Sequence, residues 1–464
     1  MELSIYLPIV IPSVIMVVTS IAVLYVDNGK TEGFLRALYF ALASLIVSLI
    51  LFVVFFTLKY YGYGLFSYSI HLTPFGYFIA IASLLASIII IIGGINELRD
   101  WDNRSSFLSL VILTNLGVLY LAFAYNVLTI FASWGIASAA TYVIAMLKKD
   151  YNSTEAGVKY LVMGLLSSSL MIVGLAFYVL GINSLSLDAT VSYTSLVVVG
   201  ILFFSVAFLF KIGAFPFQGW LPDVYSMADR VSVAFVSSVG KIVGIAPLVV
   251  ILYYIQPMSS TLSLTVFVLF VIISIASLVF GNISAFSRKD FAAMLSYSSI
   301  TQVGFMLIAI AMFPYDETVA LAGLMVYLIA YSVAQAGLFL ALSHVEKISG
   351  TSSFEGFRGI GNGDKALAFA ISILLLSLLG LPPILGFWAK LFVLESSFSQ
   401  PWLTIIGFLN SAIAAGYYIP PIREMFREGS FEAVNSPERS STIIASILSI
   451  ILGILAPLIF GVLI

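Results

Sequence analysis

Residues 211–225 read KIGAFPFQGWLPDVY and follow the apolar run TSLVVVGILFFSVAFLF (194–210). The run is long enough to cross a membrane, it ends on Lys211, and Pro216, Pro222 and Asp223 come straight after. A charge on an apolar helix is costly in lipid. Proline then removes a backbone donor and clashes with the preceding turn, so this helix is expected to break beside its charge.

Composition sets the surroundings. Hydrophobic residues make up 61% of the 464 and charged residues 9%, and the mean hydropathy is +1.13, whereas a soluble domain carries about a quarter charged residues. The fold class expected is an all-α integral membrane protein. A net charge of −2 offers nothing to nucleic acid. With no cysteine and only His71 and His344, thiolate metal sites, Cys-ligated clusters and haem ligation have no donor set. No metal and no cofactor is expected in this chain.

A hydrocarbon layer about 30 Å thick takes about 20 apolar residues per helix. That ruler places about fourteen transmembrane helices near 4–26, 34–58, 75–96, 106–124, 126–146, 157–181, 193–216, 231–254, 261–286, 290–313, 317–343, 366–396, 402–424 and 440–463. The first is read as a retained helix, because Met1–Glu2 is no basic leader. Of the 20 Lys and Arg, sixteen fall on the side of loop 27–33 and only Lys59 on the other. By the positive-inside pattern the first side faces the cytoplasm and both termini face out, across the plasma membrane.

Three lysines, Lys211, Lys241 and Lys390, remain inside spans. The bland reading of Lys211 and Lys390 is snorkelling to a membrane edge. Lys241 lies too deep in VSVAFVSSVGKIVGIAPLVVILYY (231–254) for that, and a lysine at such depth needs water or a partner. Its charge state then depends on its surroundings, which suits a proton relay. Lys390 follows Pro382 and Pro383 in LLSLLGLPPILGFWAKLFVLESS, as Lys211 precedes Pro216. The seventh and twelfth spans are therefore both expected to be broken and lysine-bearing. Unwound backbone at that depth is tolerated where it is buried or lines a wet cavity. Such a pair, five spans apart, points to a transporter built from two inverted five-helix repeats, spans 4–8 and 9–13. The domain expectation is three N-terminal helices in 1–100, a first repeat in 101–257, a second in 258–430, and a C-terminal helix in 431–464.

These residues resemble the antiporter-like proton-channel subunits of respiratory complex I and its relatives, most closely the subunit N branch. FKIGAFPFQGWLPDVY followed by Lys241 is similar to that family's F-K-x-x-x-x-P-F-H-x-W-x-P-D-x-Y and the lysine-bearing helix after it. SRKDFAAMLSYSSITQVGFML (287–307), FEGFRGIGNGDKALAFAISILLLSLLGLPPILGFWAKLFVL (354–394) and YLIAYSVAQAGLFLAL (327–342) resemble three further motifs in order. The resemblance implies proton loading at Lys211, relay at Lys241 and release at Lys390. It implies partners among other membrane-arm subunits, lipids, redox subunits acting indirectly, and no redox centre here. Ser237, Ser238, Ser299, Thr301, Gln302, Tyr331 and Gln335 are the polar side chains in mid-span that suit carrying water, although any one serine more commonly bonds its own backbone. Glu395 is either an exit carboxylate or an outer-edge anchor. Asp223 reads as a turn or capping carboxylate, and His71 as an interfacial loop residue.

Two positions depart from the family pattern. Gly135, in TIFASWGIASAATYV (129–143), stands where the family has a glutamate, and Gln218 stands where it often has His. Either a partner subunit supplies the missing anion, or water and an ion do, or this copy pumps weakly. The leading expectation is a proton-translocating membrane-arm subunit of a complex I-like oxidoreductase. The alternatives are a subunit of a multi-subunit monovalent cation/proton antiporter and a non-pumping scaffold of the membrane arm.

Overall fold

The computed structural model describes residues 3–256 and 258–464, and they are nearly all helical. Among the described residues twelve helices are long and apolar enough to cross a membrane, and the chain is a multi-pass membrane protein. With α16 and α17 counted as one (Pro401–Met425) among those twelve, all the elements in order are α1 (Leu7–Val26), α2 (Thr31–Thr57), a small hairpin β1 (Gly64–Leu65) and β2 (Ile70–His71), α3 (Pro74–Gly93), α4 (Ile95–Arg99), α5 (Arg104–Ala122), α6 (Val127–Met146), α7 (Tyr151–Ile182) and α8 (Thr194–Ile212). There follow α9 (Leu221–Met227), α10 (Arg230–Tyr254), α11 (Ser260–Phe286), α12 (Phe291–Ser349), α13 (Ile360–Gly363), α14 (Lys365–Leu379), α15 (Leu385–Ser396), α16 (Pro401–Ile413), α17 (Ala415–Met425) and α18 (Pro437–Leu463). The chain forms two compact units.

The first unit comprises residues up to Ile91, Leu98–Ile212 and Val239–Thr265. Its α7 and α8 meet at glycines. A Cβ on Gly174 would lie 2.3 Å from the backbone nitrogen of Phe204, and one on Gly200 would lie 2.8 Å from that of Tyr178. Lipid tails are as apolar as leucine, so close backbone packing of this kind is what joins helices in a bilayer. Near the ends of α1 and α5, Arg104 grips Asp27 through two hydrogen bonds of 2.8 and 3.0 Å.

The second unit comprises Ile92–Glu97, Gly213–Ser238 and Val266–Ile464. Its α12 has 59 residues, which would reach about 88 Å if straight, so it cannot be one crossing. Asp316 leaves helical geometry (φ −149°, ψ 72°) two residues after Pro314. Its carboxylate accepts the Val319 amide at 3.2 Å and starts the helix again. The expected spans 290–313 and 317–343 are thus separated by a one-residue joint. The expected span 366–396 is two short helices, α14 and α15, of 15 and 12 residues. Gly380 ends α14 at φ +92°, in the left-handed region, and its amide reaches back to the carbonyls of Leu376 and Ser377. Fourteen spans are expected and twelve helices meet a length criterion: one long helix covers two of the expected stretches, and another expected stretch is two helices too short to count. At the seventh expected span, helix α8 stops at Ile212, before Gly213 at φ +66°.

Candidate functional site

The three lysines expected inside spans are buried, with Lys211, Lys241 and Lys390 1%, 1% and 5% exposed. No carboxylate pairs with any of them among the described residues. Lys211, in the last turn of α8, donates to the Thr141 hydroxyl at 2.6 Å. Its Nζ also lies 4.0 Å from the Tyr142 ring centre and 4.7 Å from that of Tyr160. Ring faces attract cations, so α6 and α7 supply a neutral cradle for the ammonium group.

Lys241 solves the problem posed by the break. An interrupted helix leaves its last carbonyls without intrahelical donors, and those carbonyls carry the negative end of the helix dipole. Lys241 Nζ donates to the carbonyl of Ile212, the final residue of α8. Lys390 repeats the arrangement in the other unit. Its Nζ donates at 3.0 Å to the carbonyl of Leu379, the final residue of α14, and at 3.0 Å to the Ser411 hydroxyl, over the Phe305 ring at 4.5 Å. A Cβ at Gly380 would stand 2.9 Å from Lys390 Cδ, so the same glycine that ends α14 makes room for the lysine stem.

Gln302 takes the neighbouring carbonyl, that of Leu378, at 2.9 Å, donates to Tyr418 Oη at 2.9 Å, and accepts from Tyr327. Ser299 and Tyr331 share a 2.9 Å hydrogen bond. Between Gln302, Tyr327, Tyr331, Ser377 and Lys390 lies a void of about 10 Å³, the room of about one water. Thr301 donates to Asn282. Gln335 is fully buried, and neither of its amide atoms has a partner among the described residues. Ser237 and Ser238 instead bond carbonyls of their own helix, Ala234 for both. Glu395 is exposed near the end of α15, and Pro216, Pro382 and Pro383 lie at the exposed helix breaks.

Sequence reasoning passed over several members of these clusters. Thr141, Tyr142 and Tyr160 hold Lys211, and Ser411, Tyr327 and Tyr418 surround Lys390 and Gln302. Asn282 and Asn410 form a buried amide pair at 2.9 Å that also receives Tyr417 Oη at 2.9 Å. An asparagine inside an apolar span is the signal that was available. Position 135 faces outward, with nothing within 4 Å of an added Cβ. It stands six positions before Thr141, about 9 Å along the helix axis. Asp223 falls in the first turn of the short α9. His71 sits in β2, half-buried, with Nδ1 2.7 Å from Tyr254 Oη. Burial lowers its pKa from the ordinary histidine value.

The chain is similar to known proteins over most of its length. Residues 124–414 match the family described as NADH:quinone oxidoreductase/Mrp antiporter, TM. The chain is 32% identical over 368 residues to NADH-quinone oxidoreductase subunit N 2 of Aquifex aeolicus, covering 76% of this chain and 74% of that one. It superposes on a chain of respiratory complex I from Thermus thermophilus at TM-score 0.81 and 24% identity, covering 97% and 98% of the two chains. It superposes on a chain of the Mrp complex from Dietzia sp. at TM-score 0.85 and 16% identity, covering 100% and 96%. At these identities the two structures speak for the fold. The chain belongs to the NADH:quinone oxidoreductase/Mrp antiporter transmembrane family.

Proposed function

We propose that the chain is a proton-translocating membrane-arm subunit of a complex I-like oxidoreductase, carrying no redox centre of its own. In this reading it crosses the plasma membrane fourteen times, with α12 counting twice and α14–α15 once. Spans 4–8 and 9–13 form inverted repeats, and the side rich in basic loops faces the cytoplasm. Other membrane-arm subunits flank it, and electrons pass through partners.

The observation that carries the reading is the pairing of a buried lysine with the last carbonyl of an interrupted helix, found at both Lys241 and Lys390. A carbonyl only accepts, so it holds an N–H of the amine in either protonation state and keeps the nitrogen in place while a proton comes and goes. The ammonium form is favoured by the helix end, and the neutral form leaves no unpaired anion behind. Lys211 loads, Lys241 relays and Lys390 releases, in the order the family resemblance implies. The void beside Gln302 and Lys390 suits transient water, as does Gln335, unpartnered among the described residues.

The likeness to a chain of the Mrp complex supports a second reading, a subunit of a cation/proton antiporter. The test is proton uptake by vesicles carrying the assembled complex, wild type against Lys241→Ala, with assembly and electron-transfer rate followed in the same samples. Loss of pumping in an intact, redox-active complex is the expected result. Unchanged stoichiometry refutes the relay and leaves a scaffold, and a Na⁺-dependent proton flux without electron transfer selects the antiporter.

A further inference from the structure

The second unit holds a cavity of about 550 Å³ where α11 and α17 end, against the segment that leads from α12 to α13. Arg288, Lys289, Arg358, Arg423 and Arg427 line it, opposed by Glu355 and Glu424. Five cations facing two carboxylates leave a strongly positive concavity. Glu424 is already shared, lying 2.6 Å from Arg427 and 3.9 Å from Arg423.

Two of the cations are held in place with no ion pair among the described residues. Arg288 lies over the Tyr297 ring at 4.8 Å and donates to its hydroxyl at 3.3 Å. Arg358 Nε donates to the Glu428 carbonyl at 2.7 Å. Planar guanidinium groups fixed in this way match phosphate oxygens in geometry as well as in charge.

Phe286, Phe354 and Pro420 give the cavity an apolar rim, and exposed apolar side chains outside the lining continue from it along α11 and α17. Phe286, which ends α11, is 51% exposed, and Ile283 one turn earlier is 68% exposed. On α17, Ile419 lies one turn before Arg423 and is 49% exposed. A soluble phosphate has no use for such a rim, whereas acyl chains lie along it. Basic pockets between transmembrane helices at the membrane surface take anionic headgroups in this manner.

We propose that this cavity is a binding site for an anionic phospholipid, with its phosphate between Arg288, Arg358 and Arg423 and its chains along Ile283, Phe286 and Ile419. The lining includes none of the three buried lysines, and the lipid ties α11, α17 and the α12–α13 segment to the leaflet on the basic side.

The test is native mass spectrometry of the full chain released from nanodiscs of equal phosphatidylglycerol and phosphatidylcholine. Wild type is expected to retain phosphatidylglycerol with about tenfold preference. The double variant Arg288→Gln/Arg423→Gln is expected to lose most of that preference. Lys289→Gln, a milder change at an exposed side chain, is expected to reduce it several-fold, and Lys30→Gln, remote in sequence and outside the cavity lining, to leave it unchanged. Equal retention by the double variant overturns the proposal. So does displacement of the lipid by millimolar inorganic phosphate, which assigns the cavity to a soluble anion. Absence of any preference in wild type also overturns it and leaves the cavity to an acidic segment of a neighbouring protein.

Discussion

Substituting Gly380 by alanine tests whether the helix break and Lys390 act together. Gly380 sits at φ +92° and ψ 52°, a conformation that costs an L-residue about 1–2 kcal/mol. The new Cβ would also stand 2.9 Å from Lys390 Cδ. The lysine stem is the part free to give, and when it moves Nζ leaves the Leu379 carbonyl and the Ser411 hydroxyl. One charged hydrogen bond is worth about 1.5–3 kcal/mol. Its loss lowers the occupancy of the bound lysine geometry by a factor of about ten to a hundred. Gly380→Ala is therefore expected to destabilise the fold by about 2.5–5 kcal/mol and to cut proton flux about tenfold or more. Gly135→Ala is the control, because a Cβ there meets nothing within 4 Å. On an exposed helical turn it gains about 0.5–1 kcal/mol and leaves flux unchanged. Both are measured as proton uptake per electron transferred in vesicles, with thermal unfolding of the same preparations. If Gly380→Ala pumps like Gly135→Ala, the carbonyl-bound lysine has no part in transport.

Three further outcomes follow from the same geometry. Gln335→Met removes a fully buried amide that has no partner among the described residues; thermal stability is expected to hold or rise by about 1 kcal/mol, while proton flux falls several-fold, and unchanged flux removes Gln335 from the water path. At Asp364 burial pushes the carboxyl upward, but the Arg439 guanidinium and the Leu367 amide outweigh it and hold the pKa below the ordinary value. The stability from this pair is present above about pH 4 and is lost as pH falls through the lowered pKa. Asp364→Asn should abolish that acid step and cost about 3–5 kcal/mol at neutral pH, read by thermal unfolding across pH. Burial lowers the His71 pKa in the fold, so the unfolded chain takes up the proton first and the hairpin should lose stability as pH falls below about 6.5; amide exchange of residues 62–72 that stays flat down to pH 5 would contradict this.

Hydropathy alone revealed most of the spans, because apolar length is what a bilayer demands. It also isolated three lysines, since a charge in lipid stands out against leucine and valine. Direction around a helix was less accessible. Lys211 and Lys390 were matched through their flanking prolines, yet the shared contact with a helix-end carbonyl belongs to Lys241 and Lys390. A proline says that a helix stops; it does not say which distant side chain meets the freed carbonyl. Ser237 and Ser238 suit carrying water, but a single mid-span serine more commonly bonds a carbonyl one turn back, and both do so. Gly135 drew attention as a missing anion, while the cradle of Lys211 is built further along α6 from Thr141 and Tyr142. The Asp316 joint escaped because Pro314 and two carboxylates in a row resemble an ordinary loop, and only backbone angles show one residue turning the chain.

The contact between Lys390 and Leu379 also makes chain length a functional variable. Both residues belong to one short segment, so the nitrogen meets its carbonyl only at a fixed sequence spacing across the break. Inserting a single residue within α15 ahead of Lys390 would turn the lysine about 100° around the helix and shift it about 1.5 Å along the axis. Composition, hydropathy and every motif letter would survive such an insertion, and the lysine would face a different neighbour. Insertions and deletions between Gly380 and Lys390 should therefore be far less tolerated than substitutions there, a constraint on spacing rather than on residue identity.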